Sequence, residues 1–207
     1  LDGSDQRLVA NTGSYIVWNM VIAKGQLYFN SSGNDSAAGI GRVNLDGTGL
    51  TRIADRASGE AIAYDADADK IIYQHFGTSD EPGVTVKSVS ADGSKAAAML
   101  AAQPQLGFVP GLFVDNVFDH LYFTNGSAIY RSNLDGSNLT FIADPVEGYM
   151  YSLVVDALNN TIYYGSRVDG IIGRMDLDGA NQRTLVVTGD GFYALSLYNT
   201  AALPVDM

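Results

Sequence analysis

Short apolar runs recur along the chain, each bounded by glycine, asparagine, aspartate or serine. Residues 151–156 are nearly all apolar up to a terminal acid, the pattern of a strand buried on both faces. Residues 161–165 and 171–176 mix apolar and polar positions, as partly exposed strands do. Between such runs lie Asn159-Asn160 and Asp135-Gly136, which suit tight turns because Asn, Asp and Gly tolerate positive φ. The pattern predicts an all-β chain of short strands, four in each stretch of about 43 residues.

The repeat behind that period is visible directly. Asp-Gly occurs at Asp2-Gly3, Asp46-Gly47, Asp92-Gly93, Asp135-Gly136 and Asp178-Gly179, at intervals of 44, 46, 43 and 43 residues. Copies at Asp169-Gly170 and Asp190-Gly191 are out of register, so the flanking residues must carry the argument. They do: Ile40-Gly41-Arg42, Ile129-Tyr130-Arg131 and Ile172-Gly173-Arg174 precede three of the in-register turns, with Lys87 in the corresponding place of the second unit. Upstream stand Leu27-Tyr28-Phe29, Leu121-Tyr122-Phe123 and Ile162-Tyr163-Tyr164, with Ile72-Tyr73-Gln74 as a divergent copy. Further upstream an apolar run ends in Asp65, Asp115 and Asp156.

Cut at the Asp-Gly turns, the units run 1–44, 45–90, 91–133, 134–176 and a partial 177–207, all within one domain. Four-stranded units at this period predict the blades of a β-propeller. An outer strand is expected near residues 7–10 and a buried strand near residues 193–198, flanking four full blades. Residues 95–103 oppose the pattern, being alanine-rich where an outer strand belongs.

Composition narrows the function classes. With 207 residues and 46% hydrophobic content, the chain can bury a substantial core. No apolar run is long enough to cross a bilayer, and no secretion signal stands at the start. A net charge of -11 disfavours nucleic acid and anionic lipid as partners. The absence of cysteine removes disulfides, thiolate metal sites and a cysteine nucleophile.

Tyr122-Phe123-Thr124-Asn125, followed by Ile129-Tyr130-Arg131-Ser132-Asn133-Leu134-Asp135-Gly136, resembles the low-density-lipoprotein receptor class B, or YWTD, repeat. The resemblance implies a six-bladed propeller. The other copies of the signature tetrapeptide are degenerate: Tyr28-Phe29-Asn30-Ser31, Tyr73-Gln74-His75-Phe76 and Tyr163-Tyr164-Gly165-Ser166. The resemblance also implies an aspartate that pairs with the arginine of the next strand. Here that acid is replaced, so Arg42, Arg131 and Arg174 are expected to find acids or carbonyls of neighbouring blades.

Several residues are candidates for function. Sequons at Asn30, Asn34, Asn125, Asn138 and Asn159 point to N-linked glycans on a secreted chain, although Asn and Ser are also ordinary turn residues. Asp65, Asp67 and Asp69 form an alternating acidic run that could gather around calcium, or simply a solvated hairpin turn. Tyr15, Trp18, Phe108, Tyr149, Tyr151, Phe192 and Tyr193 lie where loops enter the buried strands, and could anchor a partner or pack between blades. The two histidines, His75 and His120, form no motif with a nucleophile, and His120 is expected in a hairpin turn.

The expected function is therefore that of an extracellular, non-enzymatic propeller that binds proteins or assembles with copies of itself, without a catalytic residue or cofactor. A receptor ectodomain fragment and a metal-dependent propeller hydrolase are the alternatives.

Overall fold

The computed structural model describes residues 6–12, 16–32, 39–55, 60–75, 86–100, 106–191 and 194–196. Among the described residues, sixteen strands form four antiparallel sheets, each with its strands in chain order. The first sheet holds β1 (Ile16–Ala23), β2 (Gln26–Ser32), β3 (Gly39–Asn44) and β4 (Thr51–Asp55). The second holds β5 (Ile62–Asp65), β6 (Lys70–Gln74), β7 (Val86–Ser90) and β8 (Ala97–Leu100). β9 (Leu112–Asp115), β10 (His120–Asn125), β11 (Ala128–Asn133) and β12 (Thr140–Ala143) make the third. β13 (Met150–Asp156), β14 (Thr161–Ser166), β15 (Ile171–Met175) and β16 (Arg183–Val187) make the fourth.

Consecutive sheets stack face to face, and three separate cores lie between them. Tyr28 and Ile40 of the first sheet meet Ile71 and Tyr73 of the second. Ile72 and Val86 meet Leu121 and Phe123 of the third. Tyr122 and Ile129 meet Ile162 and Tyr164 of the fourth. Neighbouring residues of β6 and β10 thus serve opposite interfaces, because successive side chains of a strand point to opposite faces. That is why each second strand carries three consecutive apolar residues at its centre.

The recurrent Asp-Gly turn has a structural cause. In each sheet it joins the third strand to the fourth, and the aspartate folds back on the turn: Asp46 Oδ1 accepts the Thr48 amide at 2.9 Å and hydroxyl at 2.7 Å. Asp92, Asp135 and Asp178 accept the amides two residues on in the same way. The glycine has φ near +84° at Gly136, and a Cβ there would collide with the Met99 carbonyl on the outer strand of the preceding sheet. Gly179 meets the Ile142 carbonyl likewise. The three units 45–90, 91–133 and 134–176 therefore each give an outer strand to one sheet and three strands to the next, which ties the units together.

Four sequence expectations need amendment. In β6–β7 the partner of Ile72 is Ser88, and Lys87 faces Tyr73, whereas Tyr28, Tyr122 and Tyr163 pair with Arg42, Arg131 and Arg174. The second repeat therefore reads Ile72-Tyr73-Gln74-His75, one residue earlier than the aromatic pair suggests, and Ser88 replaces the arginine. A slip of one residue exchanges the two faces of a strand, and packing of Tyr73 on the first sheet fixes the register.

Residues 7–10 form no strand, yet the Val9 carbonyl abuts Gly47 as that of Met99 abuts Gly136. This segment holds the place of an outer strand without sheet partners. Residues 194–196 are also not a strand, although Leu195 N–H donates to Ser152 Oγ at 2.7 Å beside the inner strand β13; the rest of the strand expected over 193–198 lies outside the described residues.

His120 is the first residue of β10, with its ring edge-on to Tyr122, rather than a turn residue. The alanine-rich segment does contain the outer strand β8, since burial of Leu100 between sheets outweighs alanine's helical preference.

Candidate functional site at the channel mouth

The four inner strands β1, β5, β9 and β13 line a channel of about 490 Å³. Val21, Ala63, Phe113 and Val154 hold one register position in these strands, and all four line it. The channel wall is therefore mainly apolar. At the other end of β1 and β5, Lys24 pairs with Asp69 at 2.7 Å, and Asp69 accepts the Tyr64 hydroxyl at 3.0 Å.

The mouth is built from another repeated position. The β1–β2 register skips Trp18, and the β13–β14 register skips Tyr151, so both are bulge residues. A bulge re-aims the side chain it carries. The structural equivalents of these two in the second and third sheets are Glu60 and Pro110, and the four line one 220 Å³ pocket with Asn19 and Ala194. The backbone at this position is held by side chains of the second strand: Asn30 Oδ1 accepts the Asn19 amide at 2.8 Å and Gln74 Oε1 accepts the Glu60 amide at 3.0 Å.

Around this pocket the aromatic rings interlock. Phe108 lies edge-on to Tyr149 at 6.2 Å and to Tyr151 at 5.9 Å, and the two tyrosines are 6.5 Å apart. The Arg167 guanidinium sits 5.3 Å from the Tyr151 ring centre, and its Nη1 donates to the Tyr151 hydroxyl at 3.3 Å. Trp18 donates its indole N–H to Ser32 Oγ at 2.6 Å. Burial pushes the Glu60 carboxyl above its ordinary range, with the Arg167 charge opposing the rise.

Of the aromatic candidates, Trp18 and Tyr151 meet at the mouth pocket, and Phe108 and Tyr149 join through Tyr151. Tyr15, Phe192 and Tyr193 lie outside the described residues. Glu60, Pro110 and Arg167 escaped the sequence reading. A positional signal did exist for two of them: Trp18, Glu60, Pro110 and Tyr151 each stand five residues before the end of an inner strand, at Ala23, Asp65, Asp115 and Asp156.

The acidic run does not converge. Asp65 is buried and accepts the amides of Asp67 and Ala68 at 3.1 and 2.9 Å, while Asp69 is committed to Lys24 and Tyr64. The run is a capped hairpin turn, and among the described residues no group of three or more acids or histidines could hold a metal ion.

The sequons divide by burial. Asn30 is 1% exposed inside β2 with its carboxamide oxygen on Asn19, so a sugar there cannot coexist with the folded sheet. Asn125 is half-buried and accepts the Gly107 amide at 3.1 Å. Asn138 and Asn159 are exposed, and Asn34 lies outside the described residues.

The arginines find the partners expected of them in part. Arg42 Nη1 donates to the Ala91 carbonyl of the second sheet at 2.9 Å. Arg174 stays within its own sheet, donating to Thr161 Oγ1 at 3.4 Å with Asp176 at 3.9 Å.

Comparison with solved structures agrees with this arrangement. The chain superposes on a structure from the nidogen/laminin complex with a TM-score of 0.76 and 19% identity, covering 89% of this chain and 70% of that one. By fold the chain is a β-propeller. Two further matches come from Bacteroides thetaiotaomicron. A protein of unknown function matches at TM-score 0.64 and 14% identity, over 81% of this chain and 42% of that one. An auxiliary nutrient binding protein matches at TM-score 0.61 and 10% identity, over 81% and 41%. At these identities the likeness is one of fold. No protein-family profile matches the chain. No curated protein matches it in sequence.

Proposed function

We propose that this propeller is an extracellular, non-enzymatic module that binds a protein partner at the channel mouth. The observation that carries the reading is the interlocked set Phe108, Tyr149 and Tyr151, with Tyr149 51% exposed at the rim. Rigid aromatic side chains with a polar tip give large contact area for little lost rotamer freedom, and they dominate the energetics of protein interfaces. The solved structure with a TM-score of 0.76 comes from a complex of two proteins, which fits this class of function. The exposed sequons at Asn138 and Asn159 support an extracellular location. No helix among the described residues is long and apolar enough to cross a membrane.

The test is capture by the immobilised chain, with laminin as the first probe and then a panel of secreted proteins. A partner that is retained by the native chain and lost with Tyr149→Ala or Tyr151→Ala supports the reading. Capture insensitive to both substitutions, with folding unchanged, rejects it.

A second reading rests on the fourth blade. The outer strands β4, β8 and β12 lie against the Asp-Gly turn of the next blade, but β16 exposes Leu185 and Val187, at 43% and 68%. On the first blade Met20 and Ile22 are exposed at 56% and 64%, on the face opposite the second blade. These two apolar faces are suited to further blades or to another copy of the chain. Sedimentation decides for the copy: a monomer at high concentration removes self-assembly.

A further inference from the structure

The chemistry of the mouth also specifies what kind of protein surface fits it, provided that the mouth is the binding site proposed above. Its depth is apolar: Val21, Ala63, Phe113 and Val154 line the channel below the ring of Trp18, Glu60, Pro110 and Tyr151. Among the described residues, charge at this end is predominantly negative. The carboxylate of Glu60 lies at the pocket, half-buried, with its backbone amide committed to Gln74.

Farther out, the connections that open on the same side carry Asp144 and Glu147 between β12 and β13, Asp169 between β14 and β15, and Asp190 after β16. Asp144, Glu147 and Asp190 are exposed. Arg167, whose charge reaches Glu60, is itself engaged over the Tyr151 ring.

We propose that the mouth receives a basic loop of the partner protein, whose apolar side chain enters the channel while a flanking lysine or arginine pairs with Glu60. A half-buried carboxylate gains more from a cation than a solvated one does, because less water screens the pair. An acidic loop would meet Glu60 and the rim acids as like charges, and juxtaposed like charges reject wrong partners. The rim acids act at longer range, attracting the loop and raising its rate of encounter in a salt-dependent way.

The chain contains one tryptophan, Trp18, and it lines the mouth, so its emission reports occupancy directly. The probes are three cyclic peptides presenting leucine between two lysines, two aspartates or two serines. The lysine peptide is expected to shift Trp18 emission and to bind about tenfold more tightly than the serine peptide, the gain of one charge-assisted contact. Glu60→Gln should remove most of that advantage in a chain that is still folded by circular dichroism. Added salt should weaken the lysine peptide and leave the serine peptide unchanged. Equal or tighter binding of the aspartate peptide, or a lysine preference untouched by Glu60→Gln, overturns the basic loop. If such binding is still abolished by Tyr151→Ala, the mouth survives as a binding site with a different specificity. If none of the three peptides perturbs Trp18 at any accessible concentration, the mouth itself fails as the site.

Discussion

Arg42 and Ala91 belong to different blades, yet the guanidinium of the first donates to the carbonyl of the second at 2.9 Å. Tyr28 lies beside the pair and donates its hydroxyl to Gln26 Oε1 at 3.0 Å. Polar chemistry thus supplements the apolar core between the first two blades. The acceptor is the residue just before Asp92-Gly93, so the repeated turn serves as a docking point as well as a chain reversal.

Removing that contact should loosen one interface. Arg42→Ala is expected to cost about 1.5–3 kcal/mol, the range for a hydrogen bond to a charged group, read as a lower urea midpoint with an unchanged slope. A loss below about 0.5 kcal/mol would mean that water replaces the guanidinium without penalty.

The turn glycines should differ sharply in tolerance. Gly136→Ala places a Cβ against the Met99 carbonyl at a φ of +84°, and is expected to cost at least about 2 kcal/mol. Gly25→Ala meets nothing within 4 Å at a φ of +73°, and should cost about 1 kcal/mol from backbone strain alone. Thermal unfolding of the two variants side by side measures the difference, and equal losses would show that the blade contact carries no weight.

Glu60 gives a signed pH dependence. Its carboxyl is raised in the folded state by burial, so the folded chain holds this proton to higher pH than the unfolded chain does. Stability is therefore lost as pH rises from the ordinary glutamate range through the raised value. Glu60→Gln should abolish this component, leaving a flatter stability profile across that window. The turn aspartates act in the opposite sense. Asp46, Asp92 and Asp135 are lowered by hydrogen bonds from the residue two positions on. Their contribution is complete above the ordinary aspartate range and fades as pH falls through the lowered values. Denaturant titrations at a series of pH values separate the two.

Glycan mapping checks the division of the sequons. Chain secreted from a glycosylating host should carry sugar at Asn138 and Asn159 and none at Asn30, by mass spectrometry before and after glycosidase treatment. Glycan on Asn30 in folded material would contradict the paired, buried β2.

How much of this was legible beforehand differs from residue to residue. The Asp-Gly spacing, the buried inner strands ending at Asp65, Asp115 and Asp156, and the aromatic second strands were all readable, because a strand sandwiched between two blades must be apolar on both faces. The second repeat misled, because Tyr73 is aromatic where Ile72 is the true equivalent of Tyr28, and either register satisfies a run that is apolar throughout. Trp18 and Tyr151 could be singled out as aromatics at strand entries. Their convergence with Glu60 and Arg167 could not, since these four come from three different blades and no local pattern joins them.

The amino-acid sequence by itself determined the period, the strand count within each unit and the turns, since these depend on backbone conformation and on apolar alternation over a few residues. Tertiary structure alone decided which face each strand turns to which neighbour, which sequons stay in solvent, and that one strand-entry position on four blades becomes the rim of a shared mouth. The physical reason is distance along the chain: packing between blades and the field at their axis arise from residues some forty positions apart or more, and only the stacking of successive sheets brings them into contact.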